Sequence, residues 1–234
     1  MGKNNLTTEN TWSLPDSEIC TDAIRLAFDV SPVLIANHCV RSFVFAREIA
    51  AGQGQRGGVD YDEELVFLAC ILHDLGVTDY GDGDQRFEVD GADAAARFLR
   101  EQQLPEERIT TIWQSIALHT SVGLGHRFGP EQSVSFHGIA FDINGFDQHL
   151  VPPGFADRVH TEWPRHDLGF GIASLIARGT KGNPLKAPPL SFPAHVHSLV
   201  HGNEMSFFDM LKTSPWGDQP ISGGTDGDAE QSNS

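Results

Sequence analysis

The chain has 234 residues, 39% of them apolar, which is enough to bury one substantial core and short for two full domains. Its formal net charge of −16 gives an average surface that repels phosphate backbones and anionic headgroups, so nucleic acid and membrane surfaces are poor partners. The three cysteines, Cys20, Cys39 and Cys70, show no C-x-x-C spacing, support neither a disulfide framework nor a thiolate zinc knot, and read as buried free thiols.

The opening segment, MGKNNLTTENTWSLPDSE, lacks a basic stretch leading into an apolar run, and no segment approaches the roughly 20 apolar residues that would cross a bilayer. The expected location is the cytoplasm. Met1-Gly2 begins like a myristoylation site, but Leu6 stands where that motif needs Ser or Thr. Residues 1–16 read as an N-terminal extension, 17–211 as one all-α domain and 212–234, polar and short of apolar anchors, as a disordered tail.

Ser17 to Phe28 has the pattern of a short amphipathic helix. A longer one begins at Ser31-Pro32, with serine as the expected cap and proline at the first helical position, and runs to about Ala51, before Gly52 and Gly54. Asp60 with Glu63 resembles a capping box, and the uninterrupted apolar run Leu65 to Leu72 predicts a helix buried nearly all round. His73-Asp74 closes it and Gly76 follows. Further helices are predicted at Val89 to Gln102, Glu106 to His119, Ser133 to Phe146 and Asp167 to Ala177, and a short one around Ser198 to Leu211 after the proline-rich KGNPLKAPPLSFP. No alternating β-pattern of useful length and no solenoid-like repeat occurs.

Eleven histidines and 19 aspartates yield about one His-Asp dipeptide by chance, and the chain has two. Setting separates them. His73-Asp74 ends a buried apolar helix, where charged groups are costly unless paired or bound to metal. His166-Asp167 follows Pro164-Arg165 at a probable helix start, where Asp167 can serve as a cap. His38 in LIANHCVRSFVF, His119 in IWQSIALHT and Asp142 in FHGIAFDINGF are likewise polar residues inside core-like stripes. Each alone reads as a hydrogen-bonded core residue; their order, one histidine, a His-Asp pair and a late aspartate, is the H…HD…D pattern of the HD superfamily.

The sequence resembles the cyanamide hydratase group of HD proteins. The matching pieces are Asn37-His38-Cys39-Val40-Arg41-Ser42, Leu72-His73-Asp74-Leu75-Gly76-Val77-Thr78, Phe87-Glu88 with Gly91, Ala117-Leu118-His119, Phe141-Asp142-Ile143-Asn144-Gly145 and Trp163-Pro164-Arg165. The resemblance implies a single helical HD bundle with a divalent ion in its core, held by His38, His73, Asp74 and Asp142, with zinc first and iron or manganese also suited to a mixed imidazole and carboxylate set. It further implies hydration of a small nitrile-type substrate, cyanamide to urea, by metal-activated water. In that reaction Asp74 could relay a proton, His119 could polarise or protonate substrate, and Glu88 and Thr78 could orient substrate or the groups around it. Adjacent residues on a helix point about 100° apart, so His73 and Asp74 share an ion best where the helix ends.

Two other readings stand beside this one. An HD phosphohydrolase would act on a nucleotide or another phosphate ester, with His119, His126 and His137 completing a second metal position, but Lys and Arg total only 16 and lie near the proposed ligands chiefly as Arg41 and Arg86. A non-catalytic helical module would carry a structural metal or none, against which stands a ligand set without cysteine. His195, His197 and His201 read as surface or cover residues, and His149 and His160, flanking Pro152-Pro153, as loop residues. Partners are limited to a small-molecule substrate, and an acidic helical enzyme of this size could form a homodimer.

Overall fold

The computed structural model describes residues 12–202 and 206–216. Among them are ten α-helices: α1 (Glu18–Val30), α2 (Val33–Gly52), α3 (Glu63–Leu72), α4 (Phe87–Glu101), α5 (Glu106–Leu118), α6 (Pro130–Asn144), α7 (Phe155–Glu162), α8 (Leu168–Thr180), α9 (Phe192–His201) and α10 (Phe207–Lys212). The described residues contain no strand beyond an isolated bridge between Gly57 and Tyr61, so the fold is all-α as predicted. None of their helices is long and apolar enough to cross a membrane.

α2 and α3 occupy the centre. Every residue from Ile35 to Ala46 and from Leu65 to Leu72 is buried, as expected of helices enclosed on all sides. α2 packs most extensively on α6, and Gly138 permits the close approach: a Cβ there would run into the Ser42 carbonyl and Ala46. α4 closes on the short 3-10 turn Leu75–Val77 in the same manner, because a Cβ on Gly76 would strike the Phe87 carbonyl, while Gly91 faces the Gly76 amide. The core is filled by aromatic and aliphatic side chains such as Phe43 and Phe67, whose rings meet edge to face at 4.9 Å, each contributing about 1.5–3 kcal/mol by burial. A smaller cluster, Ile35, Cys39, Val77, Phe87, Leu168, Ile176 and Val196, seats α8 and α9 over the start of α2.

Several local expectations shift. Ser31 ends α1 instead of capping α2, whose N-cap is Pro32 with no side-chain bond. α3 is capped by Asp62, which accepts from the Leu65 amide at 3.1 Å; Asp60 is occupied with the Arg56 amide. α6 starts three residues earlier than predicted, at Pro130, and ends on the left-handed Gly145. α7 falls where a loop was expected, because its core face is marked only by Phe155, the small Ala156 and Val159. α9 begins at the end of the proline-rich region, capped by Ser191, six residues before the expected start at Ser198, and the span expected to hold one helix to Leu211 contains parts of α9 and α10. In the N-terminal extension, Trp12 packs on Phe155 and Trp163, and Arg47 donates to its carbonyl, so the described part belongs to the packed body. α10 reaches Lys212, and the predicted disordered tail lies outside the described residues from 217 onward.

Candidate metal centre

His38 projects from the buried middle of α2, while His73 caps the C-terminus of α3. Asp74 has already left the helix, with φ −100 and ψ 14, and the chain turns through Leu75–Val77. That ending brings two consecutive side chains to one point, which a regular helix would not do. His38 Nε2 and His73 Nε2 are 3.1 Å apart, and Asp74 Oδ2 lies 3.3 Å from the latter and 3.8 Å from the former. Ligand atoms each about 2.0–2.2 Å from a common ion stand about 3.0–3.6 Å from one another, so two edges of this triangle fit a coordination face and the 3.8 Å edge is slightly long. These three residues form the group among the described residues that could hold a divalent metal ion.

The imidazole protons are placed to leave those nitrogens free. His38 Nδ1 donates to Asp142 Oδ2 at 2.7 Å, and His73 Nδ1 to the Cys70 carbonyl at 2.8 Å. His119, at the end of α5, donates from Nδ1 to the Ile116 carbonyl at 2.6 Å. Each Nε2 therefore carries the lone pair a metal requires, and each ring is fixed in orientation by its acceptor.

Asp74 gives the clearest sign that this group suits a cation. Both of its oxygens are buried and neither has a hydrogen-bond partner. Burial opposes its ionised form, yet His73, His38 and His119 hold the carboxyl well below the usual range. An ionised, buried carboxylate without donors is very costly, and a divalent ion between it and two imidazole lone pairs removes that cost. In the ion's absence a proton competes for the same place: although burial pushes the other way, Asp74 raises His73 well above the ordinary imidazole range.

Asp142 departs from the sequence expectation. It is not in the three-residue group but on the Nδ1 side of the His38 ring, and its lone pairs are already engaged. Oδ1 accepts from Arg41 Nε at 2.9 Å and Arg165 Nη1 at 3.1 Å, and Oδ2 accepts from Arg41 Nη2 at 2.7 Å as well as from His38. Burial works against its charge, but His160, His38 and Arg41 outweigh it and hold the carboxyl far below its usual range. Arg41, fully buried, also donates to the Trp163 and Pro164 carbonyls, and Asn37 to Pro164, so the Asn37-His38-Arg41 stretch ties the segment before α8 onto α2. His160 belongs to α7 and faces Asp142 at 3.7 Å instead of lying in a loop. Its only sequence signal was its place one residue after the core-facing Val159.

His119 does reach the group, with Nε2 3.9 Å from Asp74 Oδ1 and its ring 5.0 Å from that of His73. Burial and the neighbouring His73 push it down to about 4, so it is neutral at pH 7. Glu88, fully buried in the first turn of α4, is clamped by Arg86 at 2.6 and 3.0 Å and by the Thr120 hydroxyl. Despite burial, Arg86, His119 and Thr120 keep it below the usual carboxylate range. The Thr78 hydroxyl donates to the Leu75 carbonyl, and Thr78 lines a cavity of about 210 Å³ with Gly76, Val77, Phe87 and Ile176. Phe87 joins the two, its ring 5.6 Å from that of His119. His126 and His137 are 5.9 Å apart ring to ring and are not brought to the ligand group, and His197 bonds Thr180 at 2.8 Å. Asp167 stands at the N-cap of α8, without a side-chain bond there.

Residues 35–137, a little under half of the chain, match the family model of the HD domain. The match includes His38, His73, Asp74 and His119, stops short of Asp142, and supports placement in the HD superfamily, whose members are in general metal-dependent hydrolases. No curated protein matches the chain.

Proposed function

We propose that this protein holds one divalent ion, zinc by preference, on His38, His73 and Asp74, and adds water to a small nitrile-type molecule such as cyanamide, giving urea. The observation that carries the metal-dependent reading is the bare, buried Asp74 carboxylate facing two imidazole lone pairs. When bound there, the ion supplies Lewis-acid activation of water near neutral pH.

The chain's own groups supply the rest. His119 is neutral with its Nδ1 proton committed to Ile116, so its Nε2 accepts a proton before it can donate one. It takes a proton from the attacking water as oxygen bonds to the nitrile carbon, and returns it to the nitrogen, which leaves an imidic acid that tautomerises to the amide. Glu88, held by Arg86 and Thr120, places a fixed negative charge toward His119 and favours the imidazolium that forms in between. The cavity beside Thr78 and Phe87 is the space we assign to substrate. Arg41 and Arg86 are committed to Asp142 and Glu88, while Arg178 and Lys186 line the assigned cavity together with Asp79 and Asp82, so the choice between an uncharged substrate and a phosphate ester rests on the resemblance and on the test below.

The test combines elemental analysis of the purified protein with urea release from cyanamide and phosphate release from nucleotides and simple phosphate monoesters. About one zinc per chain with urea formed by wild type and not by His73→Ala is the expected result. His119→Gln keeps the metal and loses roughly 10²–10⁴ in rate. Phosphate release without urea transfers the site to the phosphohydrolase class, and absence of metal removes the reading altogether.

A further inference from the structure

Asp142 also walls a second cavity, again of about 210 Å³, to which none of His38, His73 and Asp74 contributes. Its apolar side is formed by Phe45 and Phe141, whose rings lie 4.8 Å apart, and its polar side by Asp142, His160 and Arg165, with exposed Gln148 at the edge. Three features of this cavity point to a ligand. First, charge does not balance: one carboxylate, Asp142, sits between two guanidinium groups, Arg41 and Arg165, which leaves one net positive charge. Asp142 is also the cavity's only acidic wall residue among the described residues.

Second, donors are left over. Asp142 already receives four hydrogen bonds, two on each oxygen, and cannot satisfy more. His160 Nε2, buried and without a hydrogen bond, stands 3.7 Å from Asp142 Oδ1 and is turned to that carboxylate, so it is not one of the spare donors. Arg165 spends only Nη1, on the Asp142 side chain and carbonyl, and its other two nitrogens have no acceptor among the described residues. Third, the size is informative: a cavity of roughly 150 Å³ holds a benzene ring, so this one takes a ring with one small substituent.

We propose that this cavity is a binding site for a small organic carboxylate with a flat apolar body, separate from the metal centre. The carboxylate lies on the free nitrogens of Arg165, which a planar guanidinium fork suits. The body lies against Phe45 and Phe141.

Benzoate is the probe, titrated by calorimetry into the full-length, zinc-loaded protein, with benzamide as its uncharged counterpart. Saturable binding of one benzoate per chain is expected, with benzamide weaker by roughly tenfold or more, the scale of a charge-assisted contact. Arg165→Gln and Ala156→Leu should each weaken benzoate by at least a similar factor, and binding should persist after zinc is stripped with a chelator. Ala156→Leu adds only apolar bulk to the cavity wall and leaves the Asp142 contacts in place, so it carries the test if Arg165→Gln does not fold. Absence of saturable binding, equal affinity for benzamide, indifference to Ala156→Leu, or loss of binding with the zinc would each overturn the proposal, the last by placing the carboxylate on the metal.

Discussion

Asp74 and Asp142 are two fully buried carboxylates on opposite edges of one imidazole, His38, and they live in opposite circumstances. Asp142 receives four hydrogen bonds from two arginines and a histidine, while Asp74 receives none on either oxygen. Both are held ionised. A saturated buried anion is part of the scaffold, because removing it strands the cations around it. A bare one, with lone pairs from neighbouring imidazoles turned toward it, is suited to a cation.

This contrast can be broken by exchanging the two residues' fates. The largest effect belongs to Asp74→Asn: elemental analysis should fall from about one metal per chain to background, while circular dichroism keeps the helical signal. Metal retained at wild-type levels would mean that the ion sits elsewhere. Asp142→Ala acts on the fold instead, since Arg41 is left buried with half its partners gone. Denaturant unfolding of the metal-free protein should show a loss of about 3–5 kcal/mol, far more than for Asp74→Asn.

Asp142→Asn sharpens the comparison further. It keeps the shape but weakens the grip on His38 Nδ1, and zinc affinity measured against a chromogenic chelator should drop roughly 10–100-fold, the usual scale for a group that orients a ligand. A complete loss of metal would instead return Asp142 to the ligand set. The smallest effect concerns protons. Because Asp74 raises His73 despite burial, a proton competes with zinc for the metal-free ring. Zinc affinity therefore rises with pH up to the folded His73 value and levels above it, and calorimetry in buffers of different ionisation enthalpy should register about one proton released per ion bound. Release close to zero would show that His73 binds in another state.

Much of the helical framework, and the burial of His38, His73 and Asp74, was readable beforehand. Unbroken apolar text around His38 and ahead of His73-Asp74 marked both helices as enclosed, and a charged pair at such an end required compensation. α7 was not readable, because Phe155, the small Ala156 and Val159 do not rise above a loop background. The role of Asp142 was not readable either. Its burial was visible, but whether a buried carboxylate meets a metal or an arginine depends on what lies across the contact. Its two arginine partners, Arg165 and Arg41, stand 23 and 101 residues away in sequence.

What the sequence by itself determined is that α2 and α3 are enclosed and that α3 ends at His73-Asp74, since both follow from apolar text and polar residues within a few positions. What only the tertiary structure decided is which buried polar groups face one another. Gly138 lets α6 close on α2, the segment before α8 is drawn onto Asn37 and Arg41, and Asp142 is thereby saturated while Asp74 is left bare. Coulomb and hydrogen-bond energies act over a few ångströms of space, and residues about a hundred positions apart are brought within that range only by the packed fold.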